Sequence, residues 1–291
     1  MKVVRLFSLI FLAILISTNV NAQTIQGDTW AEIQEAGSGE ITVLYFEEDA
    51  FAFTNEAGEL TGVTIDIFRQ FINFLNNTRQ VEISINFVQQ NNFTRLYSDV
   101  RDGEGGVFGL ANVTITEDRK EELAFSPPYL TNIAVLITHE EVAQLSSFSA
   151  LSTEFAGNAG ILYSGTTHEQ RVLDLRDNYY PGMRTVTANS DSEVIDLVTN
   201  NPGYFGYVDL YNYWLAQRQG LPIHRHTVGD QASEDFGIIM PLDSDWAPVI
   251  TEFFSLGSGG YRANPAYRNI LVRHLGTEVT RMLEIARRNN N

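Results

Sequence analysis

The chain has 291 residues, 44% of them apolar, and a formal net charge of −17, and it contains no cysteine. This length and apolar content allow two domains that each bury a core, while the negative charge argues against nucleic acid or an anionic membrane as a partner. Without cysteine, the chain has no disulfides, no thiolate chemistry and no site for lipid attachment.

The first 22 residues have the pattern of a secretory signal peptide. Lys2 and Arg5 precede an apolar centre at 6–16, and small residues precede Gln23. A short transmembrane anchor is the alternative, but the apolar run is shorter than a membrane span requires. Cleavage would remove both basic residues and leave a net charge of −19. We therefore expect a periplasmic bacterial protein, secreted through a signal peptide, that is not a lipoprotein and is not inserted into the membrane.

The chain after this segment alternates predicted strands and helices. Residues 23–39 are polar and form either a lead-in segment or a short helix. Apolar periodicity and turn residues then predict a strand at 41–46, a strand at 51–53 with a turn at 55–58, a helix with the apolar stripe Ile65, Phe68, Ile72 and Leu75, a strand at 81–88, a helix at 93–100, and a loop marked by Gly103, Gly105 and Gly106. Such alternation favours an α/β fold.

The segment LANVTITEDRKEELAFSPPYL, residues 110–130, combines a strand, a helix start and a turn. Thr116 stands at the expected N-cap, which places Arg119 in the first turn of the helix. A cation is unfavourable there, because the N-terminus of a helix carries positive partial charge. Its planar guanidinium would suit an anion clamp; the alternative is a surface ion pair with Glu122 or Asp118.

The second half repeats the alternation. We expect strands at 134–138, 160–163, 185–188, 204–208 and 233–242, and helices at 168–178, 192–199, 210–218 and 246–256, followed by a long amphipathic helix with the stripe Leu275, Val279, Met282 and Ala286. The tight turn at 164–167 lies between a strand and a helix, where backbone N–H groups can face an anion. Asp209 ends another strand, at the edge of the sheet where ligands bind in α/β proteins.

The run TITEDRKEELAFSPPYL resembles the signature of family 3 periplasmic solute-binding proteins, the amino-acid receptors of ABC importers, and FAFTNEAGELTGVTIDIF resembles a second stretch of that family. The resemblance implies a two-lobed type II periplasmic binding protein fold, with a mixed, mainly parallel sheet flanked by helices in each lobe. Lobe 1 would comprise 36–131 and 228–291, and lobe 2 would comprise 132–227. The chain would cross between them near 127–132 and 226–230, where a hinge would close the cleft.

The same resemblance implies a ligand site between the lobes. Arg119 and Thr114 would hold an α-carboxylate, helped by the backbone at Thr167 after the turn that contains Gly165. Asp209 would accept hydrogen bonds from an α-ammonium group.

Five further positions would shape the pocket. By the same resemblance, Tyr45 and Glu48 would read the ligand side chain, and Phe93 would pack over it. Asn112 and Tyr163 depart from the residues common in the family and would reshape the pocket. The acidic pair at 48–49 hints at a cationic or polar ligand side chain.

From this resemblance we expect a binding protein that is not an enzyme and has no cofactor. It would deliver an amino acid or similar small zwitterion to an inner-membrane ABC permease. One alternative is an enzyme on the same fold, similar to cyclohexadienyl dehydratases, with Glu48, Glu169 or Asp209 as general acid. The other is a ligand-sensing module for a signalling partner.

Histidines raise the question of a metal site. His224 and His226 alternate along a predicted strand, while His168 and His274 are distant in sequence. No third ligand at a suitable spacing accompanies the pair, so we expect no metal.

Overall fold

A computed structural model describes residues 24–289. The predicted signal peptide, residues 1–22, lies outside the described residues. None of the helices in the described part combines the length and the apolarity needed to cross a membrane.

The first part of the chain builds three parallel strands with helices against them. The elements in chain order are β1 (Gln26–Gly27), α1 (Trp30–Ala36), β2 (Ser38–Tyr45), β3 (Phe53–Thr54), β4 (Leu60–Thr61), α2 (Val63–Arg79), β5 (Glu82–Gln89), α3 (Phe93–Arg101), β6 (Glu104–Gly105), β7 (Val107–Thr114), α4 (Glu117–Lys120) and β8 (Leu123–Phe125). β2 pairs in parallel with both β5 and β7. β7 is buried at all but one position, as expected for a central parallel strand.

The rest of the chain adds the second set of strands. Its elements are β9 (Leu130–His139), α5 (Leu151–Glu154), β10 (Ala159–Tyr163), α6 (Thr167–Tyr179), β11 (Thr185–Ala188), α7 (Asp191–Asn200), β12 (Tyr204–Asp209), α8 (Leu210–Arg218), β13 (Ile223–Pro241), α9 (Ala247–Phe254) and α10 (Pro265–Asn289). β10 pairs in parallel with β11 and β12.

Two long strands join these sets into one sheet. Its order is β11-β10-β12-β9-β13-β7-β2-β5, with β8 paired to β13. β13 runs for 19 residues and pairs with β9 along one part and with β7 and β8 along another. The molecule therefore has two lobes, the first built on β2, β5 and β7 and the second on β10, β11 and β12. The predicted lobe boundaries stay a prediction, although the register between β9 and β13 shifts between His226 and Gln231.

The type and order of most elements agree with the sequence patterns, and the differences have local causes. The polar lead-in contains helix α1, which Thr29 and Glu32 start with a capping box. The helix after Thr116 has only four residues before the chain enters β8. The long C-terminal helix breaks at Gly276, whose φ of 80° is not helical.

Candidate functional site

Charged and polar side chains from both lobes and from the two long strands meet between the lobes. The first lobe contributes the ends of β2 and β7 and the short helix α4, and the second contributes the starts of α6 and α7 and the end of β12. This is the carboxyl edge of the parallel strands, where α/β proteins bind ligands. The meeting residues are Glu48, Asn112, Thr114, Arg119, Asn132, Thr167, His168, Arg171, Asp191, Asp209 and Glu234.

Arg119 spans the gap between the lobes. Thr116 caps α4 by accepting a hydrogen bond from the Arg119 backbone N–H. The Arg119 guanidinium donates to the Thr114 carbonyl through Nη1 and to the Gly165 carbonyl through Nη2, each at 3.0 Å. It also lies over the rings of Phe93 and Tyr97, 5.5 and 5.7 Å from their centroids. Burial lowers the pKa of Arg119, and the group links the two lobes.

Glu234, on β13, is the most heavily bonded carboxylate of the cleft. Its Oε1 accepts from Thr167 Oγ1 at 2.8 Å, Arg171 Nη2 at 2.5 Å and Thr114 Oγ1 at 3.4 Å. Its Oε2 accepts from Asn132 Nδ2 at 3.1 Å. The side chain is buried, which raises its pKa, but His168, Arg171 and the Thr167 hydroxyl outweigh burial and hold the pKa below its usual value. This carboxylate is therefore ionised at neutral pH.

Asp209, at the end of β12, is held by three side chains. Its Oδ1 accepts from Asn132 Nδ2 at 2.7 Å and from His168 Nε2 at 3.2 Å. Its Oδ2 is 3.5 Å from Asn112 Nδ2. Arg171 Nη1 lies 3.0 Å from Nδ1, the other ring nitrogen of His168. Burial lowers the pKa of His168, but the hydrogen bond to Asp209 and the charges of Glu234 and Asp209 outweigh burial and raise this pKa.

Three carboxylates crowd together on the other side of Asp209. Oxygens of Glu48, Asp191 and Asp209 all lie within 4.8 Å of one another. Burial and the neighbouring charges raise the pKa of Asp191 to about 7, and they raise the pKa of Glu48 well above its usual value although Asn112 donates to it at 2.9 Å. Asp191 is 8% exposed, and its Oδ1 is buried without a hydrogen-bond partner among the described residues.

Two cavities lie against this cluster. The smaller, of about 30 Å³, is lined by Thr114, Arg119, Thr167 and their neighbours. The larger, of about 210 Å³, is strongly acidic. Its lining includes Glu47, Glu48, Asp49, Asp191 and Asp196 together with Tyr163, Asn212 and Leu215. Glu48 and Asp191 line both cavities.

The structure brings most of the predicted ligand-binding residues into this region. Thr114, Asn112, Glu48, Arg119, Thr167, Asp209, Phe93 and Tyr163 line one or both cavities. Gly165 contributes its carbonyl to Arg119, and its φ of 77° is the left-handed conformation that favours glycine. Tyr45 is placed differently: its ring packs edge-to-face on Phe87, with the centroids 6.3 Å apart, and it lines neither cavity. Its role stays a prediction.

Sequence reasoning missed three charged members of the cluster. Glu234 and Arg171 carried no recognisable local signal, because their partners are distant in sequence. Asp191 did carry one: it follows β11 and is the first residue of α7, directly after the N-cap Ser190. The rule that selected Asp209, that polar groups at the carboxyl ends of parallel strands face the cleft, would also have selected Asp191.

Two of these groups have the ligand types of a metal site. Glu48, Asp191 and Asp209 offer carboxylate oxygens of the kind that Mg²⁺ and Ca²⁺ prefer. His168, Asp209 and Glu234 are equally close together, but the guanidinium of Arg171 is bonded to two of them and opposes a cation there. The predicted His224 and His226 pair lies elsewhere, with ring centroids 4.4 Å apart, and His226 accepts from the Leu145 backbone N–H.

Comparison with known proteins identifies similar chains. Residues 42–217 match the family described as bacterial extracellular solute-binding proteins, family 3. The ABC transporter arginine-binding protein 1 of Escherichia coli (strain K12) is 28% identical over 123 residues, which cover 42% of this chain and 46% of that protein. The membrane-bound lytic murein transglycosylase F of Maricaulis maris (strain MCS10) is 27% identical over 146 residues, which cover 50% of this chain and 29% of that protein. The matches thus span less than half the length of either relative.

A solved structure shows the same fold. An ancestral arginine-binding protein bound to arginine superposes with a TM-score of 0.63 at 19% identity, covering 81% of this chain and 98% of that one. At this identity the likeness establishes the two-lobed fold and not the ligand.

Proposed function

Since this chain belongs to the bacterial extracellular solute-binding proteins of family 3, we propose that it captures a small amine-bearing solute, an amino acid or a close relative, in the cleft between its lobes. It would then deliver the solute to an ABC permease from the periplasm. The observation that carries this proposal is the convergence of buried charged side chains from both lobes, with Arg119 bonded across the gap to the Gly165 carbonyl.

The charge of the cleft supports a cationic group on the solute. Three basic groups, the guanidinium groups of Arg119 and Arg171 and the imidazole of His168, are outnumbered by four carboxylates, those of Glu48, Asp191, Asp209 and Glu234. Burial, and after it repulsion from neighbouring carboxylates, raises the pKa of Asp191 and of Glu48. An ammonium or guanidinium would relieve this repulsion and form charge-assisted hydrogen bonds. The arginine-binding relatives agree with this chemistry.

Closure of the lobes would couple capture to transport. The Arg119 hydrogen bond to Gly165 and the contact between Thr114 and Thr167 hydroxyls, at 3.3 Å, join residues of both lobes. Such contacts exist only in a closed form, so a solute that also touches both lobes shifts the population toward it. A permease could recognise that form.

Two of the three candidate general acids, Glu169 and Asp209, are engaged in hydrogen bonds within the protein. Glu169, a candidate general acid in the enzyme alternative, accepts from the Gly165 backbone N–H at 2.7 Å, and its own N–H donates to Thr166. Its side chain is therefore engaged at the N-terminus of α6, where Thr166 is the N-cap. Asp209 is bonded to three side chains that hold it as an acceptor. We propose that the chain is not an enzyme.

The test is a thermal-shift screen of amino acids and amines followed by calorimetry on the hits, with wild type, Arg119→Ala and Arg95→Ala. Arg95 is an exposed arginine of α3 that pairs with Asp99. A solute that binds only the folded protein raises its melting temperature. We expect Arg119→Ala to weaken binding by about tenfold or more, through loss of the link between the lobes, and Arg95→Ala to bind as wild type. Equal affinity of all three proteins would contradict the proposed site.

A further inference from the structure

The anion-binding groups of the cleft are already engaged by the protein's own carboxylate. The hydroxyls of Thr114 and Thr167 and the guanidinium of Arg171 all bond to Glu234 Oε1. Two donor bonds of Arg119 go to backbone carbonyls. Two hydroxyls and a guanidinium are the donors that a solute carboxylate would need, and here an internal carboxylate occupies them.

The space at this end of the cleft is also small. The cavity lined by Thr114, Thr167 and Arg119 has about 30 Å³, which is room for about one or two water molecules. Glu48, Asp191 and Asp209 also line this small cavity, and the cavity of about 210 Å³ extends beyond Glu48 and Asp191, away from Thr114 and Arg119. A solute that fills the larger cavity would place its bulk away from Arg119 and Thr114.

The acidic side, in contrast, has an acceptor that lacks a donor. Asp191 is more than nine-tenths buried, and its Oδ1 has no hydrogen-bond partner within residues 24–289. Asp191 lines both cavities, and its oxygens lie within 4.8 Å of those of Glu48 and Asp209. A buried acceptor without a partner carries its full desolvation cost, so a donor placed here would be favourable, and a cation would stabilise three neighbouring carboxylates.

We infer that the solute is an aliphatic amine or guanidine cation without an α-carboxylate, held by Glu48, Asp191 and Asp209, and that Glu234 excludes the corresponding amino acid. This inference rests on the proposed function and narrows its solute class. A solute carboxylate near Thr114 and Thr167 would have to displace a buried, ion-paired glutamate or lie against its negative charge. Like charges brought together at a buried site oppose binding strongly.

Three matched pairs of solutes test this directly: agmatine with arginine, cadaverine with lysine, and putrescine with ornithine. The members of each pair differ only by the α-carboxylate, so the ratio of their dissociation constants isolates its effect. Calorimetry on the full mature chain should give tighter binding of the decarboxylated member, by about tenfold or more, in each pair that binds. Equal or tighter binding of the amino acids overturns the inference.

Two substitutions of Glu234 link the ratio to this residue. Glu234→Gln removes the charge and keeps the size, so the ratio should fall to about threefold or less. Glu234→Ala also frees the two hydroxyls and Arg171, so the amino-acid member should bind more tightly than it does to wild type. Because Glu234→Ala leaves Arg171 without its carboxylate, the glutamine variant decides the matter if the alanine variant does not fold. Glu140→Gln, an exposed residue at the end of β9, should leave the ratio unchanged.

The outcomes separate this inference from the proposed function. Tight binding of arginine or lysine, with an unchanged ratio in Glu234→Gln, leaves the solute-binding function intact and overturns the carboxylate exclusion. Binding of neither amines nor amino acids overturns both. A last experiment treats the protein with EDTA and then titrates it with Ca²⁺ or Mg²⁺ in the absence of any amine. A rise in melting temperature would identify the carboxylates as a metal site and overturn the inference.

Discussion

Replacement of Asp191 by asparagine should stabilise the solute-free protein, and more so at high pH. In the folded chain, burial and the Asp209 charge raise the pKa of Asp191 from 3.8 to about 7. Each pH unit between these values corresponds to about 1.36 kcal/mol, so ionised Asp191 costs the folded state about 4 kcal/mol at pH 8. At pH 5 the folded carboxyl is protonated and the unfolded one is ionised, which leaves a cost of about 2 kcal/mol.

The sign follows from proton binding. Between pH 3.8 and about 7 the folded chain holds a proton at Asp191 that the unfolded chain has released. Wild type therefore loses stability from this group as the pH rises through that window, and Asp191→Asn does not. The advantage of the variant in free energy of unfolding should grow by about 2 kcal/mol from pH 5 to pH 8. Comparison of the variant with wild type cancels the contributions of titrating groups distant from Asp191, whereas Glu48, whose pKa Asp191 helps to raise, adds to the difference in the same direction.

Urea denaturation followed by circular dichroism at pH 5, 6, 7 and 8 measures this difference. Asp177→Asn, an exposed carboxylate of α6 beside Arg176, is the matched control and should change the free energy of unfolding by less than about 1 kcal/mol at every pH. Asp191→Asn should also bind the solute more weakly, because the carboxylate charge that destabilises the solute-free protein is the same charge that would contact a cationic solute. A variant that is less stable than wild type at pH 8, or whose advantage is independent of pH, would refute the reasoning.

Two further substitutions test the contact between the lobes and the core of the second lobe. Gly165→Ala should lower the free energy of unfolding by about 1–2 kcal/mol and weaken solute binding, because φ is 77° and the added carbon would lie 2.8 Å from Thr94 Oγ1. Gly182→Ala is the control, because its added carbon meets open space, and it should change neither quantity. Equal effects of the two substitutions in urea denaturation and calorimetry would argue against the contact. His226 is fully buried, and burial and the neighbouring imidazole of His224 lower its pKa from 6.5 to about 3. Between pH 8 and pH 5 this side chain therefore binds its proton mainly in the unfolded chain. Over that range the free energy of unfolding of wild type should fall by about 2 kcal/mol more than that of His226→Gln. Identical denaturation midpoints of wild type and variant across that range would exclude this role.

Local patterns predicted most of the elements, and the family resemblance named several of the residues that meet in the cleft. β7 is a continuous buried run, and Thr116 at the N-cap correctly placed Arg119 at the start of α4 and at the end of a strand. These features depend on residues within a few positions of one another. Helix length was less predictable, because α4 ends where β8 pairs with β13, a contact more than a hundred residues away.

Contacts between distant segments account for what could not be predicted. Glu234 reaches Thr114 and Thr167 across 120 and 67 residues, and only the pairing of β13 with β7 and β9 brings them together. The role of Tyr45 stays a prediction, and its placement reflects local geometry. The family resemblance placed its neighbourhood at the pocket, but alternation along β2 turns its ring toward Phe87 on β5.

The continuous strand β13 has a consequence for how the protein is made. It completes the first lobe by pairing Phe236 with Thr114, about 120 residues earlier in the chain. During synthesis from the N-terminus, this edge of β7 has no β13 partner until the chain has been made as far as Phe236. Such long loop closures are slow to form. The first lobe therefore completes its sheet late in synthesis, although most of its residues are among the first to be made.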